Sequence, residues 1–259
     1  MDINSTLVLA VVMVFVLAFI FSMFGQGGGS VYSPILILLG YPVLLAASTS
    51  LVLNLITSMS AGYVFWRAKM IDLKTSFIFV PGICLGAFIG GVLSKYANTT
   101  ALLWLFIVFL LGVGAKMLYS YWEKGTVEED HFPKLSVSMY VFITLFGFAV
   151  GFLSGLLGVG GGILIVPFMV YVCKYPTKAA AGSSHLIISF SALAGILGHA
   201  ANQRLDIPLI LVTGVAVLIG GNLGARFSMR FKSGRIKAGL GLLMCALAIQ
   251  IIVKLLMHK

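Results

Sequence analysis

One glycine-rich element occurs twice in this chain, each time inside strongly apolar sequence. The first copy is Gly25-Gln26-Gly27-Gly28-Gly29, with Pro34 five residues after its last glycine. The second is Gly158-Val159-Gly160-Gly161-Gly162, with Pro167 at the same spacing. A glycine triplet breaks a helix. At membrane depth a broken helix frees N–H and C=O groups, each costly unless protein or a water-filled cavity satisfies it. Breaks in corresponding positions of two halves point to the binding site of a transporter.

The membrane setting follows from composition. Hydrophobic residues make up 60% of the 259 and charged residues 9%, which excludes an ordinary soluble domain. Eight stretches have the roughly 20 apolar residues that cross a bilayer. They lie near 6–24, 46–66, 75–94, 100–121, 138–157, 179–199, 207–228 and 236–256. Two shorter runs, 30–40 and 163–173, follow the glycine triplets. The expected organisation is a first membrane repeat over 1–121, a polar connecting loop over 122–136 and a second membrane repeat over 137–259. The first apolar segment has neither a basic n-region nor a small-residue cleavage site, so it reads as a retained span. Cys84, Cys173 and Cys245 are isolated in apolar sequence, with neither metal nor disulfide spacing. No metal and no cofactor are expected. The formal charge is +10, but the basic residues sit at span ends. That fits the positive-inside rule and not a nucleic-acid surface.

The halves align along their length. Gly27, Gly28, Gly29 and Pro34 fall on Gly160, Gly161, Gly162 and Pro167, 133 positions later. After a one-residue insertion, Tyr41-Pro42 falls on Tyr175-Pro176 and Ala46-Ala47-Ser48-Thr49-Ser50 on Ala180-Ala181-Gly182-Ser183-Ser184. Asp72 falls on Asp206, and Gly86 and Gly90 on Gly220 and Gly224. Such ordered matches mark an internal duplication. If the short runs merely dip into the bilayer, the repeats are parallel and Lys and Arg divide evenly. If each completes a crossing, the second half is inverted. Only Lys95, Arg204, Lys254 and Lys259 of the 17 basic residues then lie apart from the rest. The charge bias selects the inverted arrangement, with both termini outside. A run of 11 residues reaches only about 16 Å as a helix, so each short helix is expected to be a half-helix continued by irregular backbone.

A half-helix opening on glycines presents free N–H groups and the positive end of its dipole, and glycines allow an anion close approach. Two such ends aimed at one point would hold an anion without a charged side chain. The candidate substrate-binding residues are Gln26, Gly27, Gly28 and Gly29 with Gly160, Gly161 and Gly162. A second polar layer adds Thr49, Ser50, Asn54, Ser184 and His185. Ser48 and Ser183 read as helix-capping residues. Val159 replaces Gln26 in the second copy, so the site is expected to be asymmetric. His185 is a candidate to carry a coupling proton; His199, near Asn202 and Arg204, reads as interfacial. Gly82, Gly86 and Gly90, repeated as Ala216, Gly220 and Gly224, have the spacing of close helix packing.

With its doubled Gly-x-Gly-Gly-Gly-x4-Pro element, its Ala-Ala-x-Ser/Thr-Ser stretches and its Gly-x3-Gly spans, the chain resembles the TauE/SafE sulfite-exporter family. The resemblance covers nearly the whole chain. It implies a multi-pass inner-membrane protein that moves anions, often sulfur oxyanions or organosulfonates. The expected fold is an all-α membrane protein with two inverted repeats of about five segments each, eight long spans plus two short broken half-helices. The expected function is secondary transport of a small anion by alternating access. An anion channel is the alternative within transport. An intramembrane hydrolase using Ser154 and His185 is the alternative outside it. The expected partners are a small anion, the bilayer and a second copy of the chain, with no nucleic acid.

Overall fold

The computed structural model describes residues 3–94, 104, 107–108, 111–112, 114–119, 133, 135–157, 161–200 and 206–257. Gly160, most of the connecting loop and much of the expected span at 100–121 lie outside the described residues. The regular structure described is helical throughout. The long helices are α1 (Ile3–Met23), α3 (Val43–Arg67), α4 (Leu73–Leu93), α5 (Val137–Leu157), α7 (Thr177–Ala200), α8 (Ile207–Arg230) and α9 (Ser233–Met257). The short ones are α2 (Gly29–Leu38) and α6 (Gly162–Tyr171), ten residues each. Among the described residues, five helices are long and apolar enough to cross a membrane: α3, α4, α5, α7 and α8.

Equivalent sequence gives equivalent local structure. Gly28 and Gly161 each precede a short helix in the left-handed region, at φ 111° and φ 65°. Only glycine adopts this without strain. Pro34 and Pro167 each lie inside the short helix that follows. The short helices also end alike, through left-handed Gly40 (φ 91°) and Lys174 (φ 61°). Asp72 and Asp206 then cap α4 and α8, accepting from the backbone N–H groups of Lys74 and Thr75 and of Leu209 respectively. These carboxylates satisfy donors that a helix start leaves without an internal partner.

Helix packing follows the small residues. The space a side chain would need at Gly82, Gly86 and Gly90 is filled by the backbone carbonyls of Thr144, Phe148 and Phe152 on α5. Gly151 and Gly155 of α5 meet the carbonyls of Ile83 and Ala87 in return. Gly220 and Gly224 of α8 pack in the same way on Phe15 and Phe19 of α1. Helix α4 of the first half therefore packs on α5 of the second, and α8 of the second on α1 of the first. Small residues at this spacing let two backbones approach without a hydrophobic driving force. Between these pairs, α3 and α7 cross antiparallel: Gly62 faces His185, Phe65 faces Gly182 and Leu51 faces Gly195. The short helix α6 is buried along Gly162–Val170, in a cluster that includes Ile143, Val150, Ile187 and Met244.

Candidate functional site

The two glycine elements meet. The space beside Gly162, the first residue of α6, is filled by the Gln26 carbonyl 2.6 Å from where a Cβ would stand. Gly25 lies equally close to Ala181 and Ser184 of α7. Two backbone breaks 136 positions apart, at Gly162 and Gln26, therefore share one buried place between α3 and α7.

The carbonyls of the first element are tied down. The Ser184 hydroxyl donates to Gly25 O, the Tyr32 hydroxyl to Gly27 O at 3.2 Å and the Ser50 hydroxyl to Gly29 O at 2.8 Å. Tyr32 is itself fixed by a 3.0 Å hydrogen bond with Thr57. Held this way, the loop's negative ends are occupied, so it is poorly suited to a cation that needs free carbonyls.

Donors remain on the same loop. Asn54 accepts from the Gly29 N–H through Oδ1 at 3.2 Å, which directs Nδ2 away from the backbone. That Nδ2 has no protein partner, nor do the Gln26 amide or the Ser58 hydroxyl, although all three are buried. Asn54 and Ser58 both stand against Gly27, one helical turn apart on α3. A buried donor without a partner costs about 1–3 kcal/mol, and native proteins keep such groups few. Three around one glycine loop are what an oxyanion's oxygen atoms would satisfy.

His185 stands beside this loop. Its Nε2 lies 3.1 Å from the Ser22 carbonyl. A carbonyl only accepts, so Nε2 carries the proton and neutral His185 presents a lone pair on Nδ1. That Nδ1 is buried and unpaired. The ring packs on Phe65, with centroids 5.6 Å apart.

The structure places the expected residues in three ways. Gln26, Gly27, Gly28, Gly29, Ser50, Asn54 and Gly162 converge, with Ser184 and His185 attached through Gly25 and Ser22. Ser50 and Ser184 hold glycine carbonyls instead of standing free for a ligand. Gly161 faces Val150 and Ser154, away from the polar side, and Thr49 makes none of the described contacts to the glycine loop. Ser183 does not cap its own helix; it accepts from the Asp72 N–H at 3.0 Å. His199, in the last turn of α7, is 3% exposed and bonds the Gly155 carbonyl of α5 at 3.1 Å. No hydrogen bond joins Ser154 to His185 among the described residues. Sequence reading missed Ser58 and Tyr32. The first shares a helical face with Asn54, four positions on. The second reaches back one turn to the glycine that precedes its own helix.

Residues 9–251 match the family model "Sulfite exporter TauE/SafE". The chain is 28% identical over 231 residues to "Probable membrane transporter protein YunE" of Bacillus subtilis, covering 82% of this chain and 85% of that protein. It is 29% identical to "Probable membrane transporter protein MJ0441" of Methanocaldococcus jannaschii, over 86% of each. It is 25% identical to "Probable membrane transporter protein YfcA" of Escherichia coli, over 79% of this chain and 72% of that protein. No solved structure matches the chain. These relatives are transporters and not enzymes by name. With a family match across almost its full length, this multi-pass membrane protein belongs to the TauE/SafE family of membrane transporters.

Proposed function

We propose that the protein is a secondary transporter of a small oxyanion, a sulfur oxyanion or an organosulfonate, held at the first glycine loop. One observation carries the reading. The buried donors of Gln26, Asn54 and Ser58 surround a loop whose carbonyls are already bonded. The N-terminus of α2 begins at the same place, and its dipole adds positive potential. The repeats are inverted: α3 and α7, equivalent in sequence, run antiparallel, and basic residues gather at the Arg67 end of α3. That end is cytoplasmic, and both termini lie outside an inner membrane. Alternating access then turns one half against the other around the meeting point of the glycine elements. Anion entry is accompanied by a proton on His185 Nδ1, which changes from an unpaired acceptor into a donor facing negative charge.

The test uses purified protein in proteoliposomes. Sulfite, thiosulfate, a short alkanesulfonate and acetate are compared by thermal shift and then by counterflow. A tetrahedral or pyramidal sulfur oxyanion should stabilise the protein and drive uphill exchange of its labelled form. Counterflow separates a carrier from a channel. Gly28→Leu should remove both signals while the protein still inserts. Acetate acting alone, or unchanged flux in Gly28→Leu, would sink the reading.

A further inference from the structure

Two Tyr–Asp pairs occupy equivalent positions, and they are not in the same state. At one end of the α3–α7 pair, the Tyr175 hydroxyl donates to Asp72 Oδ2 and shares a 2.6 Å hydrogen bond with Thr75. The Asp72 N–H donates to Ser183 at 3.0 Å. Tyr175 is 2% exposed. Burial, then its bond to Asp72, pushes its phenol above the ordinary range. This arrangement ties the loop before α7 to the start of α4.

The duplication supplies the same parts at the other end. Tyr175 corresponds to Tyr41, Asp72 to Asp206 and Ser183 to Thr49. Because α3 and α7 are antiparallel, Tyr41, just before α3, lies at the opposite end, about 37 Å from Tyr175, the length of a 25-residue helix. Tyr41 belongs to the cluster that contains Leu209, three residues past Asp206, and burial and then the Asp206 charge raise its phenol. The pieces are in reach, yet the bonds are not made. Among the described residues, Asp206 accepts only from the Leu209 N–H, at 3.0 Å. Thr49 Oγ1, the counterpart of the Ser183 hydroxyl, is buried without a partner. The position equivalent to Thr75 is Leu209, which contributes no hydroxyl.

We propose that Tyr175–Asp72 and Tyr41–Asp206 are alternating latches at the two mouths of the carrier, the first closed and the second open in the present conformation. The proposal rests on the alternating-access reading above. The closed end carries Arg67, Lys69, Lys74, Lys174 and Lys178, so the resting protein is shut toward the cytoplasm. The weaker second latch, lacking the Thr75 hydroxyl, gives that resting state its preference. Thr49 then serves closure and not the ligand.

Hydrogen exchange on the full-length protein in lipid nanodiscs reads both mouths at once without substrate. In the wild-type protein, amides of 172–175 should exchange more slowly than those of 39–41. Tyr175→Phe keeps the ring and removes the hydroxyl. It should raise exchange at 172–175 about tenfold, the loss of one charge-assisted hydrogen bond, and slow it at 39–41. Leu209→Thr, which gives the second latch its missing hydroxyl, should shift both ends in that same sense. Tyr41→Phe should leave both ends at wild-type levels, because its hydroxyl holds nothing in the resting state. If Tyr175→Phe loosens 172–175 while 39–41 stays unmoved, Tyr175 is a local pin and the proposal fails. Faster exchange in Tyr41→Phe also overturns it. No anion enters this measurement, so a blank in the sulfite counterflow assay counts against the proposed function alone.

Discussion

The two glycine elements begin from the same sequence and finish in opposite surroundings. Around the first stand Gln26, Tyr32, Asn54 and Ser58. The positions equivalent to them are Val159, Ile165, Ile188 and Ala192. Each of these four polar residues is aliphatic in the second copy, while Ser50, which holds the Gly29 carbonyl, stays a serine as Ser184. Gly162 accordingly lies against the Ile188 side chain where Gly29 lies against the Asn54 amide. Duplication supplied the broken backbone twice; divergence left the side-chain chemistry in one copy. The second copy contributes a buried half-helix whose first residue closes against the Gln26 carbonyl. On the proposed reading the site is one-armed, with its side-chain donors at the first helix end.

The largest test of that difference is a methyl group. Gly27 sits at φ 74°, with Asn54 Oδ1 and the Ser58 hydroxyl where a Cβ would go. Gly161 sits at φ 65°, but its nearest neighbour there is a Val150 methyl at 3.1 Å. Both Gly→Ala changes incur backbone strain of about 1 kcal/mol or more. Only Gly27→Ala also displaces the donors. Sulfite counterflow should fall by about two orders of magnitude in Gly27→Ala, the sum of strain and two disturbed hydrogen-bonding groups. In Gly161→Ala it should stay within about tenfold of wild type, the strain alone. Equal losses would mean that the halves share the site equally.

A smaller effect comes from exchanging the side chains. Asn54→Ile makes the first copy like the second. It removes a donor and strips the Gly29 N–H of its acceptor, a loss of about 2–3 kcal/mol, or about 30- to 150-fold in apparent anion affinity. Ile188→Asn makes the second copy like the first. It should leave affinity within a few-fold, because Gln26 and Ser58 have no counterparts there to complete a site. The two variants are compared by thermal shift against sulfite concentration. An affinity gain in Ile188→Asn would show the second element to be a latent site.

Much of this was legible in the sequence, for physical reasons that can be named. Glycine triplets mark the helix breaks because few other residues fit the left-handed backbone at Gly28 and Gly161. Asp72 and Asp206 read as equivalent because an N-cap needs a short acceptor at one position. The Gly82, Gly86 and Gly90 spacing fixes a helix face, and that face meets α5. What stayed hidden was which groups the tertiary packing turns inward. Ser50 and Ser184 read as ligand donors, yet carbonyls 21 and 159 positions away claim their hydroxyls. His199 read as interfacial from its place near a span end, but α5 passes beside it and supplies the Gly155 carbonyl. Ser58 carried no local mark; it matters because a glycine 31 positions earlier folds against it. Periodicity reports a residue's own helix and says nothing of which partner will fill the space beside it.

The smallest expected effect separates the halves at their caps. The Asp72 carboxylate accepts from the Lys74 and Thr75 N–H groups and from the hydroxyls of Thr75 and Tyr175. Among the described residues, the Asp206 carboxylate accepts from the Leu209 N–H alone. Replacing a capping Asp by Ala costs about 1 kcal/mol, so Asp206→Ala should lower thermal stability by that amount. Asp72→Ala loses a cap that holds two N–H groups and also takes the carboxylate acceptor from buried Tyr175, which brings its cost to about 2–3 kcal/mol. The two melting temperatures are compared in one detergent, and both variants lose one charge at an equivalent helix start. The double variant Asp72→Ala/Tyr175→Phe isolates the latch from the cap. If Tyr175 accounts for the excess, removing its hydroxyl as well should recover part of the stability lost in Asp72→Ala, since no buried phenol stripped of its carboxylate then remains. A double variant less stable than Asp72→Ala would place the excess in the cap geometry of α4 and remove the distinction between the two ends.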